Sequence, residues 1–170
     1  MRTYLDALDT APFGPPGTAA SPNRVLAALD PGMLALAAER ARGATVLGMP
    51  VEYTRTARTV LGDDGLLAIT QLCVLSHDRT DTADLARATA AAALPNRRQL
   101  LRGLGHQNPD ALDDRLVDAL VIHGHAEDIA HRVQAHLDAG ADHVSLHLVT
   151  TTPDSPPVRQ WGQLAAQLPV

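Results

Sequence analysis

The residues of this 170-residue chain with the widest chemical repertoire are its eight histidines, as metal ligands or proton carriers. His123, His125, His131 and His136 form the densest group. His131 and His136 stand five apart, which puts them on different faces of a helix. No HExxH pattern or cysteine pair supports them, so they are expected to face solvent without a metal. His147 is different. It lies near the end of a segment in which Val144, Leu146 and Leu148 alternate with His143, Ser145 and His147, the period of a strand. The aliphatic set suits a layer of covering helices, which leaves His147 on the opposite face as a candidate contact for substrate or cofactor. In the alternative orientation His147 is buried under helices and merely hydrogen-bonded. Glu39, Glu52 and Asp78 show no pairing for acid–base work. Arg97, Arg98 and Arg102 form a basic patch that reads first as a solvated helix face.

Positioning these side chains falls to a repeated unit. Residues 124–149 read as one helix, a glycine stop and one strand. Ile129, Ala130, Val133 and Leu137 recur at helical spacing, and Asp138-Ala139-Gly140 closes the helix. The same alternation appears upstream. Residues 24–29 (RVLAAL) read as a short buried strand, followed by Asp30-Pro31 as N-cap and first turn, and a helix stopped by Gly43. A second strand spans 44–49, followed by a helix from Pro50 to Gly62, and a third, longer strand spans 66–75. An alanine-rich helix, capped by Thr80 or Thr82, ends at Leu94-Pro95. Residues 1–11 read as a helix end, with Tyr4, Leu5 and Leu8 on one side, and 157–168 as a terminal helix. Residues 12–23 are a Pro/Gly/Ser linker, and residues 96–123 form a helical insertion in which Leu116, Val117, Leu120 and Val121 share a face. The fold class is therefore α/β, in a single domain over residues 1–170: four parallel strands with flanking helices. A closed (β/α)₈ barrel needs eight such units and about 250 residues, so this is a half-barrel or an open four-stranded sheet.

Composition narrows the class further. A net charge of −5 argues against nucleic-acid binding, which calls for a basic face. No segment approaches the roughly 20 apolar residues of a membrane span, and MRTYLDALDT lacks the apolar run of a secretion signal. The lone Cys73 has no partner in the chain, which suits a reducing cytoplasm. Aromatics are 2% of residues, so the core must be built from Ala, Leu and Val. All 14 basic residues are arginine, as in the products of a GC-rich genome.

Several segments, in order, resemble the C-terminal half of the luciferase-like monooxygenase family. The subgroup they resemble is the actinobacterial one of oxidoreductases that use the deazaflavin coenzyme F420. They are YLDALDTAP at 4–12, RVLAALDPGMLALAAERARGA at 24–44, LPN at 94–96, DRLVDALVIHG at 114–124 and the unit at 124–149. The resemblance implies a partial (β/α)₈ barrel and hydride transfer between F420, or alternatively FMN, and a small organic substrate. In that family four strands precede the equivalent of residues 4–12, and most side chains that handle hydride come from them. The resemblance therefore carries no catalytic residue onto this chain. Activity is expected only if a complementing N-terminal half-barrel, or a second copy in a homodimer, supplies the missing strands.

What the resemblance leaves here is a phosphate site. In relatives the turn after the fifth strand reads roughly Ala-Ala-x-Gly-Pro and offers helix N–H groups to the cofactor phosphate. The matching residues are Ala27, Ala28, Leu29, Asp30 and Pro31, followed by Gly32 and Met33. Ala28, Leu29, Asp30, Gly32 and Met33 are thus the candidate cofactor-binding residues. Asp30 departs from the pattern: its carboxylate competes for the same N–H donors and repels a phosphate. That departure favours the alternative of a cofactor-free half-barrel that serves as an association module or is a gene remnant. Relatives tend to carry aromatics near 97 and 106, where Arg97 and His106 stand here. A third reading is an independent α/β domain that binds a phosphorylated ligand.

Overall fold

The computed structural model describes residues 1–10, 24–76, 80–152 and 154–168, except for the side chains of 80 and 81. The linker at 12–23 and Asp78 lie outside the described residues. Helix α1 (Arg2–Thr10) buries Leu5 and leaves Tyr4 exposed. It is tied to α2 (Pro31–Arg40) by the Arg40 guanidinium, 2.8 Å from Asp6 and 2.9 Å from Asp9. Strands β1 (Val25–Ala27), β2 (Gly43–Leu47) and β3 (Leu66–Leu75) lie side by side and parallel. Helix α3 (Val51–Leu61) links β2 to β3, and it starts and stops at Pro50 and Gly62 as expected.

The long strand β3 organises the sheet. Strand β5 (His143–Leu148) pairs with its residues 68–73, and β4 (Val121–Gly124) with its residues 72–75, both parallel. Residues 68–70 pair with β2 and β5 at once, and Leu72 and Cys73 with β4 and β5 at once. Strands β2 and β4 therefore follow one another along the same edge of β3, and β5 takes the other edge. The outward edges of β1 and β5 carry no strand among the described residues.

Strand β4 is an addition to the four strands read from the sequence, and it lies within the expected helical insertion. Helix α6 (Asp114–Leu120) runs into it without a loop, so Leu116, Val117, Leu120 and Val121 look like one helical stripe. A four-residue apolar strand is too short for its period to show. Helix α4 (Thr80–Ala93) precedes the insertion and leads into it through a 3₁₀ turn at Leu94–Asn96; the rest of the insertion is α5 (Arg98–Gly103) and a second 3₁₀ turn at Pro109–Ala111.

Alternation sorts the sheet into two faces. Ala44, Val46, Leu67 and Ile69 are buried in one apolar cluster with Leu34 and Ala37 of α2 and Tyr53, Ala57 and Leu61 of α3. Further along, Cys73 and Ile122 pack with Ile129 of α7 (Ala126–Asp138) and Leu164 of α8 (Val158–Ala165). The opposite face is open over much of its extent. Register aligns Ala27, Thr45, Ala68 and His143 in one row across it, and Leu47, Thr70 and Ser145 in the next. Strand β1 is accordingly not the buried strand expected: Val25 and Ala27 are exposed, because no layer covers that face there.

Gly43 is the first residue of β2 and not the stop of α2, which ends on Ala41 as C-cap. A Cβ at Gly43 would sit 1.9 Å from the Leu66 carbonyl oxygen, so the close approach of β2 to β3 needs glycine there. Two of the four grouped histidines are also not solvent-facing. His136 is fully buried on the α7 stripe with Ile129 and Val133, and His123 is half-buried and bonded to Thr82 at 3.0 Å. His125 and His131 are exposed.

Candidate functional site

The strongest candidate site forms where β1 ends and α2 begins. Asp30 is extended (φ −96°, ψ 156°), Pro31 occupies the first helical position, and the Asp30 Oδ1 accepts the Met33 N–H at 3.0 Å. This is an Asp-Pro helix start, favoured because proline gives up only an N–H that would be orphaned anyway. The chain then turns past Tyr53 of α3. Its ring is 2% exposed, and its hydroxyl donates to the Leu29 carbonyl. Burial, with the Asp30 charge second, pushes the Tyr53 hydroxyl up to about 12, so it acts as a fixed donor and not as a base.

Beside this turn lies an open cleft of about 870 Å³. Its floor is Ala27, Leu29, Pro31 and Met33. Tyr53 and Thr56 form one wall, and Asn96, Gln99, Leu100 and Leu104 the other. The volume is in the range that holds small ligands. Among the described lining residues the charged groups are the Asp30 carboxylate and the α-amino group of Met1, and none is an arginine or histidine.

Of the candidate cofactor-binding residues, Leu29, Asp30 and Met33 line this cleft, and Ala28 is buried beneath it. Their arrangement does not fit a phosphate. Pro31 has no N–H, the Met33 N–H is taken by Asp30, and the Leu34 N–H bonds the Asp30 carbonyl at 3.0 Å. Gly32 holds the remaining donor of the turn, next to a carboxylate. A dianion there would meet repulsion with a single N–H in return.

His147 is exposed on the open face of β5, opposite to Val144, Leu146 and Leu148. It is in register with Leu72, and it does not line the cleft. β1 and β5 stand three strand spacings apart, roughly 14 Å along the sheet, so His147 and Asp30 belong to separate places. The basic patch is split: Arg98 and Arg102 share Asp110, and Arg97 turns away from them. Arg97 donates to the carbonyls of Gly48 at 2.9 Å and Leu47 at 2.8 Å, tying the insertion to the end of β2, and burial lowers its pKa. Arg98 pairs with Asp110 at 2.7 Å.

Sequence reasoning missed Tyr53, Asn96 and Gln99 as cleft residues. Tyr53 had a usable signal, since a tyrosine one turn into a helix is conspicuous where aromatics are 2% of residues. Asn96 and Gln99 had none, because the wall they form depends on how the insertion folds back. Among the described residues no group of three or more His, Cys, Asp or Glu is placed to hold a metal ion. Nor is any helix long and apolar enough to cross a membrane.

Solved structures share this fold. The F420-dependent tetrahydromethanopterin reductase of Methanopyrus kandleri matches over 84% of this chain with a TM-score of 0.57 and 16% identity. An F420-dependent secondary alcohol dehydrogenase, solved with an F420–acetone adduct, matches over 74% with a TM-score of 0.54 and 12% identity. The chain spans about half the length of these proteins, 48% and 43% respectively. At such identities the likeness is one of fold, that of a partial TIM-type barrel. No protein-family model and no curated protein matches the sequence.

Proposed function

We propose that this chain is the C-terminal half of a luciferase-like oxidoreductase barrel and contributes to hydride transfer between coenzyme F420, or alternatively FMN, and a small organic substrate, in a reducing cytoplasm. It works only with strands that complete the barrel, supplied by a complementing N-terminal half or by a second copy. One observation carries this reading. The parallel sheet has the fold of F420-dependent enzymes over about half their length, and among the described residues no strand pairs with the outer edges of β1, β4 and β5 and much of one face is open. The (de)azaflavin would supply the redox chemistry when bound. The residues present do not form its phosphate site, so no catalytic step is assigned to them. The contribution of this half is to hold its share of the wall, with His147 facing the barrel interior as a contact for substrate or cofactor.

The test is a fluorescence titration of F420 and of FMN into the purified chain, alone and mixed with the N-terminal half-barrel of the secondary alcohol dehydrogenase. The expected outcome is saturable binding in the mixture and none to the chain alone. Absence of binding in both would leave the second reading, a cofactor-free association module, which Asp30 at the expected phosphate turn already favours.

A further inference from the structure

We propose that Arg97, held against the end of β2, anchors a binding site for a small organic carboxylate whose apolar body lies on the open face of the sheet. The site is carried by this chain alone and does not rest on the coenzyme reading.

Two arginines clasp opposite ends of the sheet, and they are built alike except in one respect. Arg58 donates to the carbonyls of Gly62, Gly65 and Gly140, and the Asp142 carboxylate completes its shell at 2.6 Å. Arg97 donates to the carbonyls of Gly48 at 2.9 Å, Leu47 at 2.8 Å and Ala93, and pairs with no carboxylate among the described residues. Arg42, Arg55, Arg115 and Arg159 also pair with none there, but they are exposed, whereas Arg97 is half-buried. Water compensates an exposed charge; a half-buried one calls for a counter-ion. Burial lowers the Arg97 pKa with no carboxylate to raise it, and a guanidinium stays charged regardless. Its place suits a ligand. A Cβ at Gly48 would lie 3.0 Å from the Leu72 side chain and 3.6 Å from the Arg97 Nη2, so the guanidinium and Leu72 share one side of the sheet. Leu72 is in register with His147, which puts Arg97 at the rim of the open face, toward the C-terminal ends of the strands. Leu47, 47% exposed beside it, offers apolar surface that a ligand can cover. The three carbonyls leave one N–H on Nη1 and one on Nη2, a pair that a carboxylate accepts in parallel. A phosphate dianion would need a second cation, and Arg98 and Arg102 are turned to Asp110.

Two probes of matched shape separate charge from apolar contact: 4-phenylbutyrate and its uncharged analogue 4-phenylbutanamide, titrated calorimetrically into the full chain at low salt. A two-pronged, charge-assisted contact at a partly exposed guanidinium predicts a carboxylate preference of about tenfold. Arg97→Gln keeps an N–H for the carbonyls while removing the charge, and it should bring the two affinities within about twofold of each other. Arg97→Lys keeps the charge but loses the fork, and should leave a preference of about threefold. The lysine variant serves if R97Q fails to fold. Equal affinities in the native chain, tighter binding of the amide, no binding of either probe, a preference that survives R97Q, or one undiminished in R97K would each overturn the proposal. No coenzyme and no completing half-barrel takes part in these titrations, so their outcome is separate from that of F420 binding.

Discussion

His136 shows how a single side chain can be structural where its type promises chemistry. The Gln71 Nε2 donates to the carbonyls of Leu72 at 2.8 Å and Leu120 at 3.1 Å, so its Oε1 is left to accept from the His136 Nε2, also at 2.8 Å. That fixes the proton on Nε2 and makes Nδ1 the acceptor for the Thr54 hydroxyl at 2.8 Å. Three buried polar residues from β3, α7 and α3 thus satisfy one another around a neutral imidazole. Burial, with the Arg132 charge second, lowers the His136 pKa from 6.5 to about 4. The unfolded chain therefore binds a proton between these values that the fold refuses. The His136 contribution is complete above pH 6.5, declines as pH falls toward 4, and is flat below that. The shift corresponds to a loss on the order of 3 kcal/mol. Urea unfolding midpoints measured from pH 7.5 to 4 should fall accordingly. His136→Gln should flatten the profile over that window, at a cost of about 1–2 kcal/mol near neutrality from imperfect hydrogen bonding. An unchanged slope in H136Q would assign the pH dependence to other groups. From sequence alone, Ile129 and Val133 marked the buried stripe of α7, but a histidine at 136 reads as polar. Nothing local reveals that Gln71, 65 positions away, is waiting for it.

At the scale of elements, the helix and strand pattern was legible wherever each element has its own stop signal. Pro50 and Gly62 bound α3, β3 spans the residues expected of it, and α7 buries Ile129 and Val133 of its expected stripe, with His136 and not Leu137 as its third buried residue. Legibility failed where one signal served two purposes. Gly43 reads as a helix stop because glycine usually is one at such a place, yet its function is steric: it admits the Leu66 backbone. Gly43→Ala would place its Cβ 1.9 Å from the Leu66 oxygen, and only separation of β2 from β3 can relieve that contact. The expected destabilisation is about 3 kcal/mol, at the upper end for overpacking. Denaturant midpoints for G43A measure it, with Gly62→Ala as a contrast: there no atom lies within 4 Å and the strain comes from the positive φ of 81° alone. At the opposite end of the sheet from the cleft, Arg58 holds several elements together. It donates to the carbonyls of Gly140 at 2.8 Å, Gly62 at 2.6 Å and Gly65 at 2.7 Å, and pairs with Asp142 at 2.6 Å. This clasp joins the ends of α3 and α7 to the starts of β3 and β5. In barrels that end serves stability, while ligands gather at the other. The candidate site was legible only as a helix N-terminus. The cleft beside it needs the insertion, whose path no periodicity describes.

At the scale of the whole molecule, the sheet presents parallel strands whose outer edges at β1 and β5 pair with no strand among the described residues, and a bare edge is a template for another strand. The uncovered face carries exposed apolar residues, with Leu47 47% and Val25 38% accessible, in the positions a closed barrel would fill. Val158 and Trp161 on α8 add a second exposed apolar site, on the helix that follows the edge strand β5. Two copies related by a two-fold axis along the barrel direction would set β1 of one beside β5 of the other, parallel at both seams, and would cover both open faces at once. Light scattering on the isolated chain is therefore expected to give a dimer that dissociates on dilution. Leu47→Asp should produce a monomer, because a carboxylate in the shared interior has no partner there. Since Leu47 is half exposed in the single chain, the same substitution should change the unfolding midpoint of the monomer by less than about 0.5 kcal/mol. A native chain that stays monomeric at every concentration would exclude self-closure. The complementing strands would then have to come from a different polypeptide, and the coenzyme titration should be performed with that half alone as partner.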